Sequence, residues 1–173
     1  MANRWLTTLL VVLSVALIAA VVIWLVGDDD SSPAAESEIV TATQLPATKQ
    51  GKTVYWLGER PSTSYELTES PSGRVYIRYL TGGAEAGDER TVFLTVATYP
   101  EEDAIAALRR AAREQDGARL GRTDDGAVLL VDPSSPNNAH LAYPGTNLQV
   151  EVYSPVPGQA LRLASDGAVQ PVP

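Results

Sequence analysis

The chain is 173 residues long, has no cysteine and a single histidine, and carries a formal net charge of −8. Without cysteine there is no disulfide framework, no thiol chemistry and no acylated cysteine of a lipoprotein, and one histidine cannot make a two-histidine metal site. From Thr53 onward ten Arg and no Lys face sixteen Asp or Glu, a balance that argues against nucleic acid or an anionic membrane surface as the main partner.

Trp5 to Val26 is a run of 22 residues without charge, Gly or Pro. As a helix it measures about 33 Å, enough to cross a hydrocarbon core of roughly 30 Å. A secretory signal needs an apolar stretch of only about 7 to 15 residues before its cleavage site. Cutting after Ser14-Val15-Ala16 would leave Leu17 to Val26 as an apolar new terminus, and Ser32-Pro33-Ala34 places Pro inside the site. The run therefore reads as a retained single-pass anchor. Trp5 and Trp24 sit near its two ends, where amphipathic rings favour the headgroup regions. Arg4 and the amino terminus flank one end, and no Lys or Arg follows until Lys49, which keeps the N-terminus cytoplasmic and sends the remainder across the membrane. The expected organisation is a cytoplasmic stub at 1–4, a transmembrane helix at 5–26, a flexible linker at 27–52 and one extracytoplasmic domain at 53–173. Asp28-Asp29-Asp30 is read as a solvated collar.

The linker reading rests on the Ser, Ala, Thr, Pro and Gln content of Ser31 to Lys52. Gln50-Gly51-Lys52-Thr53 imitates the end of a phosphate-binding loop, but Pro46 stands where that loop requires its first Gly. Proline offers no N–H and fixes φ, so no nucleotide and no other cofactor is expected.

Within the domain, "SYELTESPSGRVYIRYL" predicts a β-hairpin with Pro71-Ser72-Gly73 as its turn. Closing it places Ser70 opposite Arg74, Thr68 opposite Tyr76 and Glu66 opposite Arg78 on a polar face. Tyr65 with Tyr79 and Leu67 with Ile77 form an apolar face, as in a sheet packed on one side. "TVFLTVATYP" reads as a further strand. "EEDAIAALRRAAREQDG" reads as a helix, with Pro100 near its first position, Glu101, Glu102 and Asp103 at the positive end of its dipole, Arg109, Arg110 and Arg113 further on, and Gly117 as the stop. Ile105, Leu108 and Ala112 form its apolar stripe.

"ARLGRT" and "AVLLV" flank a turn at Asp124-Asp125-Gly126, and "HLAYP" and "LQVEVYSP" flank another at Gly145 to Asn147. In the last strand Leu148, Val150 and Val152 are expected inward and Gln149, Glu151 and Tyr153 outward. "PGQALRLASDG" predicts a short helix, and Ala168 to Pro173 an edge strand or tail. The order of elements gives an α+β class: an antiparallel sheet with two helices packed on one face.

The stretches "VYWLGERP", "YELTE", "GRVYIRYL", "ATYP", "AYPG" and "VEVYSP" resemble an uncharacterised family of small membrane-anchored proteins from high-GC Gram-positive bacteria. The resemblance covers most of Thr53 to Pro173. It implies a cell-envelope location and brings no assigned activity and no site residue.

Candidate chemistry is sparse. His140, the only histidine, reads as a hydrogen bonder at a turn or strand end. Glu66 and Glu69 are the candidates for a hydrolytic carboxylate pair, although Glu66 already faces Arg78. Trp56, Arg74, Tyr76 and Arg78 are the candidate binding residues, since Arg and aromatic side chains supply interface energy and stack on sugar rings. The expected function is a membrane-tethered, extracytoplasmic, non-catalytic binding module of the cell envelope, with an envelope protein or glycan as partner. A small envelope hydrolase using a carboxylate pair is the alternative.

Overall fold

A computed structural model describes residues 36–49 and 51–173. The apolar run Trp5–Val26, and with it the expected anchor, lies outside the described residues. Among those described, no helix is long and apolar enough to cross a membrane.

The expected hairpin forms as β3 (Ser64–Glu69) and β4 (Val75–Leu80). Its register pairs Tyr65 with Tyr79, Glu66 with Arg78, Leu67 with Ile77 and Thr68 with Tyr76. Ser70 N–H donates to the carbonyl of Arg74 at 2.9 Å, and Gly73 takes φ 77°, the left-handed conformation that a three-residue hairpin loop demands and glycine adopts without steric cost.

Around this hairpin the chain builds an eight-stranded antiparallel sheet. The other strands are β1 (Glu36–Val40), β5 (Thr95–Pro100), β6 (Arg119–Arg122), β7 (Val128–Val131), β8 (Asn138–Ala142) and β9 (Leu148–Tyr153). Their order is β1-β3-β4-β5-β9-β8-β7-β6. The segment expected to be a linker is built into the fold from Glu36 on: β1 pairs with β3, and a helical turn, α1 (Leu45–Thr48), buries Leu45. A run poor in apolar residues still docks when one strand edge and one leucine are accepted by the domain.

Because side chains alternate between faces and neighbouring registers align, single rows of residues run across the sheet. Ser37, Thr68, Tyr76, Ala97, Glu151, His140, Leu130 and Leu120 form one such row on a first face. Tyr65, Leu67, Ile77, Tyr79, Val96, Val150, Val152, Leu141 and Leu129 point to the second face, which carries the main core.

The helices cover opposite faces, which corrects the expectation that both lie on one. α2 (Ala104–Glu114) packs Ala104 and Leu108 against Val128, Leu130 and Ala142 of the first face. α3 (Gln159–Ser165) buries Ala160 and Ala164 in the core of the second. A small sheet of β2 (Tyr55–Trp56) and β10 (Gln170–Pro171) also lies over the second face, where Tyr55 N–H donates to Thr98 Oγ1 at 3.0 Å and Leu57 N–H to the Tyr79 hydroxyl at 2.6 Å. The hairpin is consequently buried on both sides, not solvated on its polar face: Glu66 and Tyr76 are both buried. Pro100 closes β5 and does not open α2, which Asp103 caps by accepting from Ala106 N–H at 3.3 Å.

Candidate functional site

On the first face, α2 lies over β7 and β8 at one end, and residues 81–94 fold over β3 and β4 at the other. The second cover is fastened by an ion pair. Arg78 Nη1 donates to Glu66 Oε2 at 2.5 Å, and Gly87 N–H donates to Glu66 Oε1 at 2.7 Å. Arg78 Nη2 also donates to the carbonyls of Asp88 and, at 3.2 Å, Arg90, while the guanidinium lies 5.0 Å from the centre of the Phe93 ring. Tyr153 hydroxyl donates to the carbonyl of Thr91 at 2.8 Å. Arg78 is thus a clamp for this strap and is not presented to a ligand.

Between the two covers the floor is polar. Glu151, expected to face outward, is 1% exposed. Tyr99 hydroxyl donates to its Oε2 at 2.5 Å and Asn138 Nδ2 donates to its Oε1 at 2.6 Å. His140 sits beside it in the row, at the centre of β8 and 2% exposed, whereas a turn or strand end was expected. Its Nδ1 faces Gln149 Nε2 at 3.4 Å, and its buried Nε2 has no partner among the described residues. Burial, then the charge and bond of Glu151, push the Tyr99 phenol well above its usual range. Burial also raises Tyr76, with the charge of Arg74 partly opposing it. Both phenols therefore stay protonated near neutral pH, so Tyr99 holds Glu151 as an O–H donor.

The outer corner of this floor is where two of the sequence candidates meet. Arg74 is exposed and its guanidinium lies 5.4 Å from the centre of the Tyr99 ring. Tyr99 in turn meets Tyr76 edge to face, with centroids 6.1 Å apart. Trp56 is elsewhere: it is buried on the second-face side, edge-on to Tyr65 at 5.9 Å. Of the four binding candidates, then, Arg74 and Tyr76 are brought together, Arg78 is consumed by the strap and Trp56 by the core. Glu66 and Glu69, three apart on one strand, point to opposite faces, and Glu69 pairs with Lys52.

Tyr99, Glu151, Asn138 and Gln149 were not singled out by sequence reasoning. A signal was present in "AVLLV": Val128, Leu129 and Leu130 are successive apolar residues, the mark of a strand covered on both faces, which implies that polar residues in the neighbouring strands are buried too. Among the described residues no group of three or more His, Asp or Glu side chains is placed to hold a metal ion. Compared with protein-family models, curated proteins and solved structures, the chain matches none.

Proposed function

We propose that this chain is a membrane-tethered, extracytoplasmic, non-catalytic binding module of the cell envelope, and that it recognises an envelope protein or glycan through the Arg74–Tyr76–Tyr99 corner. The observation that carries the reading is the stacking of an exposed guanidinium on Tyr99, which is itself locked onto the buried Glu151. Arg and Tyr held rigidly lose little freedom on binding and supply much of the energy at recognition surfaces. The tether is supported by the length of Trp5–Val26 and the placement of Arg4, and by the resemblance to membrane-anchored envelope proteins. The hydrolase alternative draws less support, because Glu66 and Glu69 face opposite sides of the sheet and cannot flank one bond.

The test has two separable parts. Full-length protein from the membrane fraction, after an alkaline wash, is expected to yield peptides beginning at Met1 or Ala2; a soluble chain starting after Ala16 or Ala34 removes the tether. A photoreactive residue at position 74 is expected to give a discrete adduct in intact cells, and the same residue at the exposed position 162 is not. Equal labelling at both positions, or none at 74, removes the recognition corner.

A further inference from the structure

We propose that the two outer edges of the sheet pair with each other between copies of this chain, β6 of one copy adding antiparallel to β1 of the next. The inference rests on the sheet and its charges, independently of the proposed function. Among the described residues nothing pairs with the outer side of β1 or β6, and an edge strand offers a row of unused N–H and C=O groups to another strand. The eight strands alternate in direction, so β6 and β1 run opposite ways. Moving one copy by about 38 Å, eight strand spacings, while turning it by the twist that the sheet accumulates over those strands, continues the same antiparallel sheet with each face joined to the same face of the next copy.

Register and chemistry agree with this joint. Ser37 and Leu120 end the same cross-sheet row. Continuing that row without stagger sets Leu120 of one copy opposite Ser37 of the next on the first face, and Arg119 opposite Glu38 on the second. Each edge carries an exposed large apolar side chain: Ile39 is 44% and Leu120 39% exposed. In this register they lie diagonal to one another, within reach of cross-strand contact.

The longer-range charge follows the same pairing. Residues 109–122 hold five arginines against Glu114 and Asp116, in a chain of net charge −8. All five are exposed, and none enters an ion pair among the described residues. The chain leading into β1 is the reverse, since residues 28–38 hold five carboxylates and no base. Charged edges ordinarily block edge-to-edge association. Here opposite signs block β1 from β1 and β6 from β6 while favouring β1 with β6. Such a head-to-tail joint does not close on itself at two copies, so it makes rows.

The absence of cysteine allows a direct test on the full-length chain. Ser37→Cys and Leu120→Cys, made on separately tagged chains and mixed under mild oxidation, are expected to give a disulfide-linked heterodimer. Either variant alone is expected to give none, and the double variant a ladder of higher multimers. Glu38→Arg in the Ser37→Cys chain should lower the yield about two- to fivefold, the size of one cross-strand charge pair, and Arg119→Glu in the Leu120→Cys chain should restore it. Both sites are on the surface, and circular dichroism of each variant verifies the fold. The proposal is overturned if neither Ser37→Cys nor Ile39→Cys links to Leu120→Cys, or if either variant links to itself as readily as to the other.

Discussion

Glu66 faces Arg78 across the β3–β4 ladder, and its burial turns that pair into a structural commitment. Its side chain is 2% exposed and that of Arg78 16%, so the carboxylate has no water to fall back on and the guanidinium has little. Removing the guanidinium would leave a buried carboxylate with the Gly87 N–H as its remaining donor. Arg78→Ala is therefore expected to lower stability by about 3–5 kcal/mol in urea unfolding, the cost of orphaning a buried ion, and to release the strap whose carbonyls Arg78 also holds. Replacing both partners, as Glu66→Leu with Arg78→Met, should recover much of that loss, because no charge then remains buried. A loss below about 1 kcal/mol for Arg78→Ala would match an exposed surface pair and would sink the clamp reading.

Among the elements, β10 closes the fold. Val172 N–H donates to the carbonyl of Val54 at 2.8 Å, Lys49 Nζ reaches the carbonyl of Val172 at 2.8 Å, and Val169 and Val172 are buried. Truncation after Gly167 should cost about 3–6 kcal/mol, the burial of two valine side chains, and a thermal midpoint unchanged from the full chain would show the tail to be dispensable. This tail was visible in the sequence only as an edge strand or an extension, whereas the β3–β4 hairpin was legible residue by residue. The difference is locality. A hairpin's register follows from its own turn and alternation, but the partner of Gln170 is Trp56, more than a hundred residues away. The same reason hid the placement of the helices: a helix's apolar stripe says that it packs, and the parity of distant strands decides on which face. The candidate site was half legible for a related cause. Arg74 and Tyr76 are two residues apart at the start of β4, while Tyr99 and Glu151 reach them only through β4–β5 and β5–β9 pairing.

At the scale of the molecule, the tyrosines link the two layers on either side of the sheet to one titration. Tyr76 and Tyr99 lie on the first face; Tyr55, Tyr79 and Tyr143 lie on the second, where Tyr55 and Tyr143 stack with centroids 4.6 Å apart. All five are raised above the ordinary phenol value, with burial as the largest cause in each. A phenol raised in the folded state keeps its proton there after the unfolded chain has begun to lose it at a pH of about 10. The unfolded state then binds fewer protons, so stability falls as pH rises. The stabilising contribution is complete below the unfolded value and is lost as pH climbs from there through the raised folded values. Because ionising any of these phenols means wetting a packed layer, their phenolate absorbance is expected to rise together, at the same pH at which the near-ultraviolet circular dichroism collapses. Tyr99→Phe should leave that coincidence intact, since buried Tyr55, Tyr76 and Tyr79 and half-buried Tyr143 remain to couple the layers. If five phenols ionised near their ordinary value while the circular dichroism signal held, the burial that joins the two faces into one cooperative unit would be refuted.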